Sequence, residues 1–251
     1  MSSIENIPEV EIIETEEIEL KNPLILTGFS GPGLVGLIAN RHIIEQLDLQ
    51  EIAYIKTRHI RPAVVFIDGT LRHPFRIYAN KDGDLCVIIC EIPFNYKGIF
   101  PISSKIVDWT EKHDAKEIII LGSIALRGIP KERKTYFIAG PERSKDFDNN
   151  DSEAVSSGII QGIAGGLLNE CLARKISGLA LLTPAPSFMP DPEGAATVIQ
   201  KINKFYDLNV NVEDLLNKAD DIKQRLKEMA QKHKKIREED NKGQTPQGLY
   251  A

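Results

Sequence analysis

The chain has 251 residues, of which 42% are hydrophobic and 27% charged, and its formal net charge is −5 at pH 7. This apolar content is enough for a substantial core, while the acidic balance argues against nucleic acid as the main partner. The sequence contains no run of eighteen apolar residues and does not begin with a secretion signal, so we expect a cytoplasmic protein without membrane contact.

The first 19 residues form an acidic N-terminal segment. Residues 1–20 contain seven Glu and no Lys or Arg, whereas residues 223–242 carry eight Lys or Arg. Solvated surfaces account for both stretches, and steering of a partner by these opposite charges is the alternative. We expect the folded domain to begin after this segment.

A strand, a tight turn and a helix open the domain. The apolar run Leu24–Phe29 ends at glycines and gives way to helical spacing over residues 34–47. Further strands are predicted at 52–56, 63–67, 75–78, 85–91, 117–122, 136–139 and 178–182, and further helices at 101–113, 158–174 and 192–206. Asp191 followed by Pro192 is a favourable start for the last of these helices.

Two of the predicted strands, 85–91 and 117–122, are almost wholly apolar, which is typical of strands covered on both faces. Cys86 and Cys90 lie in the first of them with their Cα atoms about 13 Å apart, too far for a disulfide, so we predict buried thiols. The alternation of strands and helices predicts a three-layer α/β/α sandwich over residues 20–208.

Residues 209–239 predict a separate C-terminal helix. A seam of positions spaced alternately by four and three residues runs along it: Leu215, Ala219, Ile222, Leu226, Met229, His233 and Ile236. Heptads of this kind predict a short coiled coil through which copies of the chain associate. A helix packed on its own domain is the alternative, because Ala219 and His233 weaken the seam.

Residues 240–251 are mostly polar and predict a flexible tail that ends in Leu249, Tyr250 and Ala251. The terminal carboxylate offers two acceptor oxygens, and the phenol of Tyr250 adds apolar area and one hydroxyl. A pocket on another protein can therefore capture this terminus end-on, which is recognition rather than catalysis. The alternative is an ordinary frayed chain end.

The turn after the first strand contains four glycines, Gly28, Gly31, Gly33 and Gly36, the last three of which match G-x-G-x-x-G formally. Such a turn can hold an anion at a helix N-terminus, and Glu91, at the end of a central strand, stands where an active-site acid would lie. Equally, the glycines can serve a sharp turn and close packing, and Glu91 can simply end a strand. We predict no catalytic residues, metal or cofactor, because the histidines are scattered and no G-x-S-x-G occurs.

Four segments carry a resemblance to a known family: residues 28–41 (GFSGPGLVGLIANR), 117–123 (EIIILGS), the helix 158–174 with its small residues, and 183–199 (TPAPSFMPDPEGAATVI). Together they resemble the archaeal proteasome-assembly-chaperone family over residues 20–240. The resemblance implies a fold similar to that of nucleoside phosphorylases, without their chemistry. Members of that family that end in hydrophobic-Tyr-any bind the α-ring of the core-particle proteasome.

By this resemblance, Tyr250 and the carboxylate of Ala251 enter a pocket between adjacent α-subunits, where the carboxylate meets a lysine. We therefore expect a homo-oligomer that is not an enzyme and that promotes α-subunit assembly. Three alternatives stay open from the sequence: an activator or adaptor of mature proteasomes, a nucleoside- or anion-binding enzyme that uses the Gly28 to Gly36 turn, and a purely structural oligomer.

Overall fold

Alternating strands and helices are built around one large sheet. The computed structural model describes residues 8–16, 18–141, 143, 153–154 and 157–220. The strands are β1 (Val10–Glu14), β2 (Leu24–Phe29), β3 (Gln50–Thr57), β4 (Val65–Ile67), β5 (Thr70–Arg72), β6 (Phe75–Ala79), β7 (Leu85–Cys90), β8 (Glu117–Leu126), β9 (Tyr136–Ala139), β10 (Glu153–Ala154) and β11 (Gly178–Pro186). The helices are α1 (Val35–Gln46), α2 (Ile99–Lys112), α3 (Gly162–Arg174) and α4 (Pro192–Tyr206), and residues 213–220 are also helical.

Within the described residues, nine strands form one sheet in the order β1-β3-β6-β7-β2-β8-β11-β9-β10. Its centre, β7, β2, β8 and β11, is parallel, and Ile25 of β2 lies opposite Cys86 of β7 and Ile118 of β8. Strands β6, β3 and β1 are added antiparallel on one side, and β9 is antiparallel to β11 on the other. The central strands therefore all end on the same side of the sheet, which we call the carboxyl end; the opposite side is the amino end.

Helices cover both faces of the sheet. Alternate strand residues such as Leu26 and Val87 pack with Ile199 beneath α1 and α4, whereas Ile25 and Ile88 belong to the second core beneath α2 and α3. This division follows from the period of two along a strand, which sends successive side chains to opposite faces. The predicted three-layer α/β/α architecture is confirmed.

The sheet begins inside the stretch that the sequence predicts as an acidic segment. Strand β1 pairs antiparallel with β3, with Val10 opposite Thr57. Glu14, its last residue, accepts hydrogen bonds from Trp109 (2.9 Å), Lys112 (3.1 Å) and His113 (3.2 Å) at the end of α2. Burial opposes ionisation of this carboxyl group, but the three hydrogen bonds outweigh it and lower the pKa of Glu14.

Other regions also differ from the predicted elements: the helix predicted at 158–174 begins only at Gly162, and β5 and β10 were not predicted. The run predicted as a sheet strand at 63–67 instead forms a separate two-stranded hairpin, in which Val65 of β4 lies opposite Arg72 of β5. The strands predicted at 117–122 and 178–182 are four residues longer, ending side by side at Leu126 and Pro186. These extensions project at the carboxyl end.

Residues 209–220 return to the domain that precedes them. Val210, Leu215 and Ala219 are buried, and the first two belong to the core beneath α1 and α4. The Asn203 side chain binds both backbone groups of Val210, at 2.8 and 3.0 Å. At these first two seam positions the helix therefore packs on its own domain; Ile222, Leu226, Met229, His233 and Ile236 lie outside the described residues, and there the seam stays a prediction.

The three cysteines, Cys86, Cys90 and Cys171, are free and buried, as predicted for the first two. Burial raises the pKa of each thiol to about 12, so all three stay protonated at neutral pH and pack as small apolar groups. Across the described residues, no helix combines the length and the hydropathy that a membrane crossing needs.

Candidate functional site

The glycine turn joins β2 to α1 through two left-handed residues. Gly33 has φ +62° and Leu34 has φ +52°, so the chain reverses sharply between the 3₁₀ turn at Pro32–Leu34 and the first residue of α1. A Cβ on Gly33 would lie 2.9 Å from the Cβ atoms of both Ala185 and Asp191. Gly33 is therefore required both by its backbone conformation and by its neighbours.

Gly28 and Gly36 bring α1 close to the sheet. A Cβ on Gly28 would collide with the carbonyl group of Gly36, and one on Gly36 would collide with the carbonyl oxygen of Leu121 in β8. Gly31 differs, since a Cβ there would meet no atom within 4 Å. Three of the four predicted glycines thus have a packing reason.

Hydrogen bonds from distant segments hold this turn. The Ser123 hydroxyl donates to the carbonyl oxygen of Pro32 (2.5 Å), and the Asp191 amide donates to that of Gly33 (2.8 Å). The Arg133 guanidinium donates to both carboxylate oxygens of Asp191, at 2.5 and 2.8 Å. The same carboxylate accepts from the amide of Gly194 (3.0 Å), which caps α4 as the sequence predicts.

A cavity of about 360 Å³ lies at the carboxyl end, between the glycine turn and the start of α3. Its lining is mainly apolar and includes Phe29, Gly31, Gly36, Ile159 and Leu182. Gly28 and Gly33 do not belong to the lining, so the structure divides the four predicted glycines between this cavity and the packing contacts behind it.

Glu91 is not part of the cavity either. Its carboxylate accepts a hydrogen bond from Arg76 (2.8 Å) and lies 3.7 Å from the Arg41 guanidinium of α1. Only its backbone carbonyl meets the turn, through a weak bond from the Ser30 hydroxyl at 3.4 Å. Because Arg76 is 1% exposed, this ion pair joins β6 to the end of β7 deep inside the protein. The arrangement explains Glu91 as a buried structural partner.

A second buried carboxylate lies at the amino end. Glu117, the first residue of β8, accepts hydrogen bonds from Arg143 (3.0 Å), from the Ser177 hydroxyl (2.6 Å) and from the Tyr206 hydroxyl. Burial and the bond to Glu117 raise the pKa of Tyr206, so the phenol remains a donor. This network fixes the end of α4 to the sheet and was not foreseen, because its members are far apart in the sequence.

The described histidines have structural partners. His42 bonds to the carbonyl oxygen of Asn211 at 2.6 Å and His59 to Glu9 at 2.5 Å, while His73 stacks on the ring of Tyr54. In the described part of the chain, no group of three or more His, Cys, Asp or Glu side chains has the arrangement that a metal ion needs. Leu249, Tyr250 and Ala251 lie outside the described residues.

Three proteins illustrate what this chain is similar to. An uncharacterized protein of Methanocaldococcus jannaschii is 33% identical over 230 residues, covering 90% of this chain and 93% of that protein. A crystal structure of a Thermoplasma acidophilum protein of unknown function has a TM-score of 0.75 at 35% identity, covering 89% of this chain and 92% of that one.

The third is PbaA of Pyrococcus furiosus, described as an archaeal homolog of proteasome-assembly chaperone. Its structure has a TM-score of 0.83 at 26% identity and covers 94% of this chain and 97% of that one. The sequence model of the PAC2 family matches residues 25–230. These include the glycine turn at the carboxyl end of the sheet, Glu117 at the amino end, and residues 209–220. The chain belongs to the PAC2 family.

Proposed function

We propose that this protein is a homo-oligomeric proteasome-assembly-chaperone-like protein. It docks Leu249, Tyr250 and Ala251 into pockets of the α-ring of the core-particle proteasome and thereby promotes the assembly of α-subunits. One observation carries the proposal: a PAC2 chain, similar along almost its whole length to a homolog of proteasome-assembly chaperone, ends in hydrophobic-Tyr-any.

The chemistry of the last three residues suits a pocket between subunits. The carboxylate of Ala251 is a charged acceptor for a lysine, and such bonds are about twice as strong as neutral ones. The ring of Tyr250 supplies apolar contact area, and its hydroxyl fixes the orientation of the ring. Leu249 adds a second apolar contact, so that three residues are a complete ligand.

The last described segment before this tail, residues 209–220, is anchored to the domain. Val210 and Leu215 are held against the domain at the end of α4, and 31 residues follow Asp220. If residues 240–251 behave as a flexible coil, these twelve residues have an r.m.s. reach of about 20 Å. Tails from one oligomer can therefore search for neighbouring pockets on the same ring.

Association of several copies strengthens the contact. A three-residue ligand gains little affinity after its ordering entropy is counted, so a single tail binds weakly. Two or more tails on one oligomer raise the overall affinity by about 10² to 10⁴ without any new contact. Simultaneous binding also holds adjacent α-subunits together, which is what ring assembly needs.

The sharpest test removes residues 249–251 from the full chain. We expect the truncated protein to keep its oligomeric mass and thermal stability and to lose binding to isolated α-subunits in a pull-down. Tyr250→Phe is the matched variant, because it removes only the hydroxyl and should weaken binding less than the deletion does. Undiminished binding by the truncated protein would overturn the proposal.

The same tail would also suit an activator or adaptor of finished particles. The rate of α-ring formation and the rate of peptide hydrolysis by mature proteasomes separate the two roles. We expect faster ring formation. Acceleration of peptide hydrolysis alone would assign the protein to the activator role.

The enzyme alternative has less support from the geometry. Glu91, the candidate acid or base, is paired with Arg76 and does not line the cavity at the glycine turn. A thermal-shift screen with nucleosides and phosphate tests for a ligand site at the Gly28 to Gly36 turn, because a bound ligand stabilises the folded protein saturably.

A further inference from the structure

The cavity at the carboxyl end lies where two neighbouring strands lead to opposite faces of the sheet. Strands β2 and β8 are adjacent and parallel. The helix after β2 is α1, on the face that it shares with α4, whereas the next helix after β8 is α3, on the other face. A crevice opens between connections that diverge in this way, and ligands of parallel α/β sheets bind in such crevices.

The size and the lining of this cavity suit a small molecule. Its volume of about 360 Å³ falls within the range of about 300–1,000 Å³ that is typical of ligand sites. The ring of Phe29 lines it and is held by edge contacts with the rings of Phe94 and Phe75, at centroid distances of 5.3 and 6.3 Å. Ile163 and Leu182 add aliphatic area. An aromatic ring that enters the cavity therefore meets an ordered apolar wall.

The described residues that line the cavity carry no charge. None of them is Lys, Arg, His, Asp or Glu, and their polar side chains are Ser30, Ser123 and Gln161. The Ser123 hydroxyl donates to the carbonyl oxygen of Pro32 at 2.5 Å, whereas Ser30 makes only a weak bond to the Glu91 carbonyl at 3.4 Å. A phosphate group would be buried here without a cation, which is unfavourable. A neutral molecule has no such penalty, and the Ser30 hydroxyl is available for one hydrogen bond with it.

Gly31 lines the cavity, and neither its conformation nor its packing requires a glycine. Its φ of −158° and ψ of −173° are extended, a conformation that any residue adopts. A Cβ on Gly31 would meet no atom within 4 Å. Gly36 differs, because a Cβ there would collide with the Leu121 carbonyl oxygen. The effect of a glycine at position 31 is to leave open space, which a larger side chain would take from the cavity.

We propose that this cavity binds a neutral, mainly apolar molecule of one or two rings with a single hydrogen-bonding group. The ring packs against Phe29, and the polar group bonds to the Ser30 hydroxyl. The inference goes beyond the proposed docking function and does not depend on it, since residues 249–251 take no part. It also differs from the enzyme alternative, in which the glycine turn holds a nucleoside or an anion.

Isoleucine methyl groups can report occupation of the cavity in the full chain by NMR. Five isoleucines line it: Ile120, Ile124, Ile159, Ile160 and Ile163. Indole is a suitable probe, because it is neutral, has two fused rings and carries one N–H group. We expect it to shift the methyl signals of the lining isoleucines saturably and to leave Ile202, in the core beneath α1 and α4, unchanged. Inorganic phosphate should shift none of them.

Three variants test the assigned contacts. Gly31→Leu fills part of the cavity and should raise the dissociation constant for indole by about tenfold or more. Thr70→Leu is the matched control, because it adds the same side chain on the exposed strand β5, outside the lining, and should leave the constant unchanged. Ser30→Ala removes one hydrogen bond and should raise the constant by about 2- to 10-fold.

The inference is overturned if indole causes no saturable shift up to its solubility limit, or if Ile202 shifts as much as the lining isoleucines. Equal affinity of the wild type and Gly31→Leu also overturns it, and so does binding of phosphate at the same methyl groups. Unchanged affinity in Ser30→Ala refutes the polar contact. If Gly31→Leu does not fold, Ala164→Leu narrows the cavity from the first turn of α3 and replaces it.

Discussion

Arg133 donates two hydrogen bonds, of 2.5 and 2.8 Å, to the carboxylate of Asp191, although the two residues are 58 positions apart in the sequence. Both side chains are almost fully buried, and Asp191 also caps α4 and holds Gly33 through its backbone amide. One ion pair therefore joins the β8–β9 connection, the glycine turn and the start of α4.

Replacing Arg133 should lower the stability of the folded protein substantially. Arg133→Ala leaves the Asp191 carboxylate buried without its cation, and we expect the free energy of unfolding to fall by about 3–5 kcal/mol in urea denaturation. Arg58→Ala is the control, because Arg58 and its partner Glu9 are 3.9 Å apart and both exposed, which is worth about 0–1 kcal/mol. Equal losses in the two variants would show that the Arg133 pair is no stronger than a surface contact.

The glycine turn can be tested with two alanines. Gly33→Ala meets both a left-handed backbone and two neighbouring Cβ atoms, so we expect a loss of about 2–4 kcal/mol in stability. Gly31→Ala enters open space and should change stability by less than about 0.5 kcal/mol. If Gly31→Ala instead abolished a saturable thermal shift with phosphate or a nucleoside, the turn would be a ligand site.

Much of the fold could be predicted from local sequence, and the site contacts could not. The apolar run of β7 and the Asp191-Pro192 start of α4 are encoded within a few residues, and both are found. Strand β1 was missed because its glutamates hide the alternation of Val10 and Ile12. The Arg133 and Gly33 partners of Asp191, like the partners of Glu117, come from segments dozens of residues away, and sequence spacing does not predict such pairs.

Leu215 and its neighbour Leu216 separate intramolecular packing from an intermolecular seam. Leu215 is 3% exposed in the core beneath α1 and α4, whereas Leu216 is 38% exposed. Leu215→Ala should therefore lower the free energy of unfolding by about 2–5 kcal/mol, and Leu216→Ala by less than about 1 kcal/mol. A larger loss at Leu216, or a change in oligomeric mass with little loss of stability at Leu215, would contradict the packing described for this helix.

Attachment of β1 should depend on pH through Glu14. Its pKa is lowered in the folded state, so the stability it contributes is full above the ordinary glutamate pKa and disappears as the pH falls through the lowered value. We expect Glu14→Gln to be less stable than the wild type at pH 7, and the difference to vanish in acid. The hydrogen-exchange rates of the β1 backbone amides measure the loss of this attachment directly. Glu11→Gln, on the opposite side of the same strand, is the control; a difference that grows in acid would contradict the assignment.

The last prediction concerns the position of the terminal carboxylate relative to Tyr250. Adding four residues after Ala251 moves that charge away from Tyr250, so we expect the extended chain to lose binding to α-subunits as fully as a chain without residues 249–251. The same four residues inserted after Gly243 lengthen the tail by the same amount but keep Tyr250 next to the end, and they should leave affinity nearly unchanged, because the effective concentration of a flexible tail falls only slowly with length. Binding can be compared by pull-down and by the rate of ring formation. If the extended chain binds as well as the inserted one, the contact does not use the carboxylate, and recognition of Leu249 and Tyr250 must then occur within the tail rather than at its end.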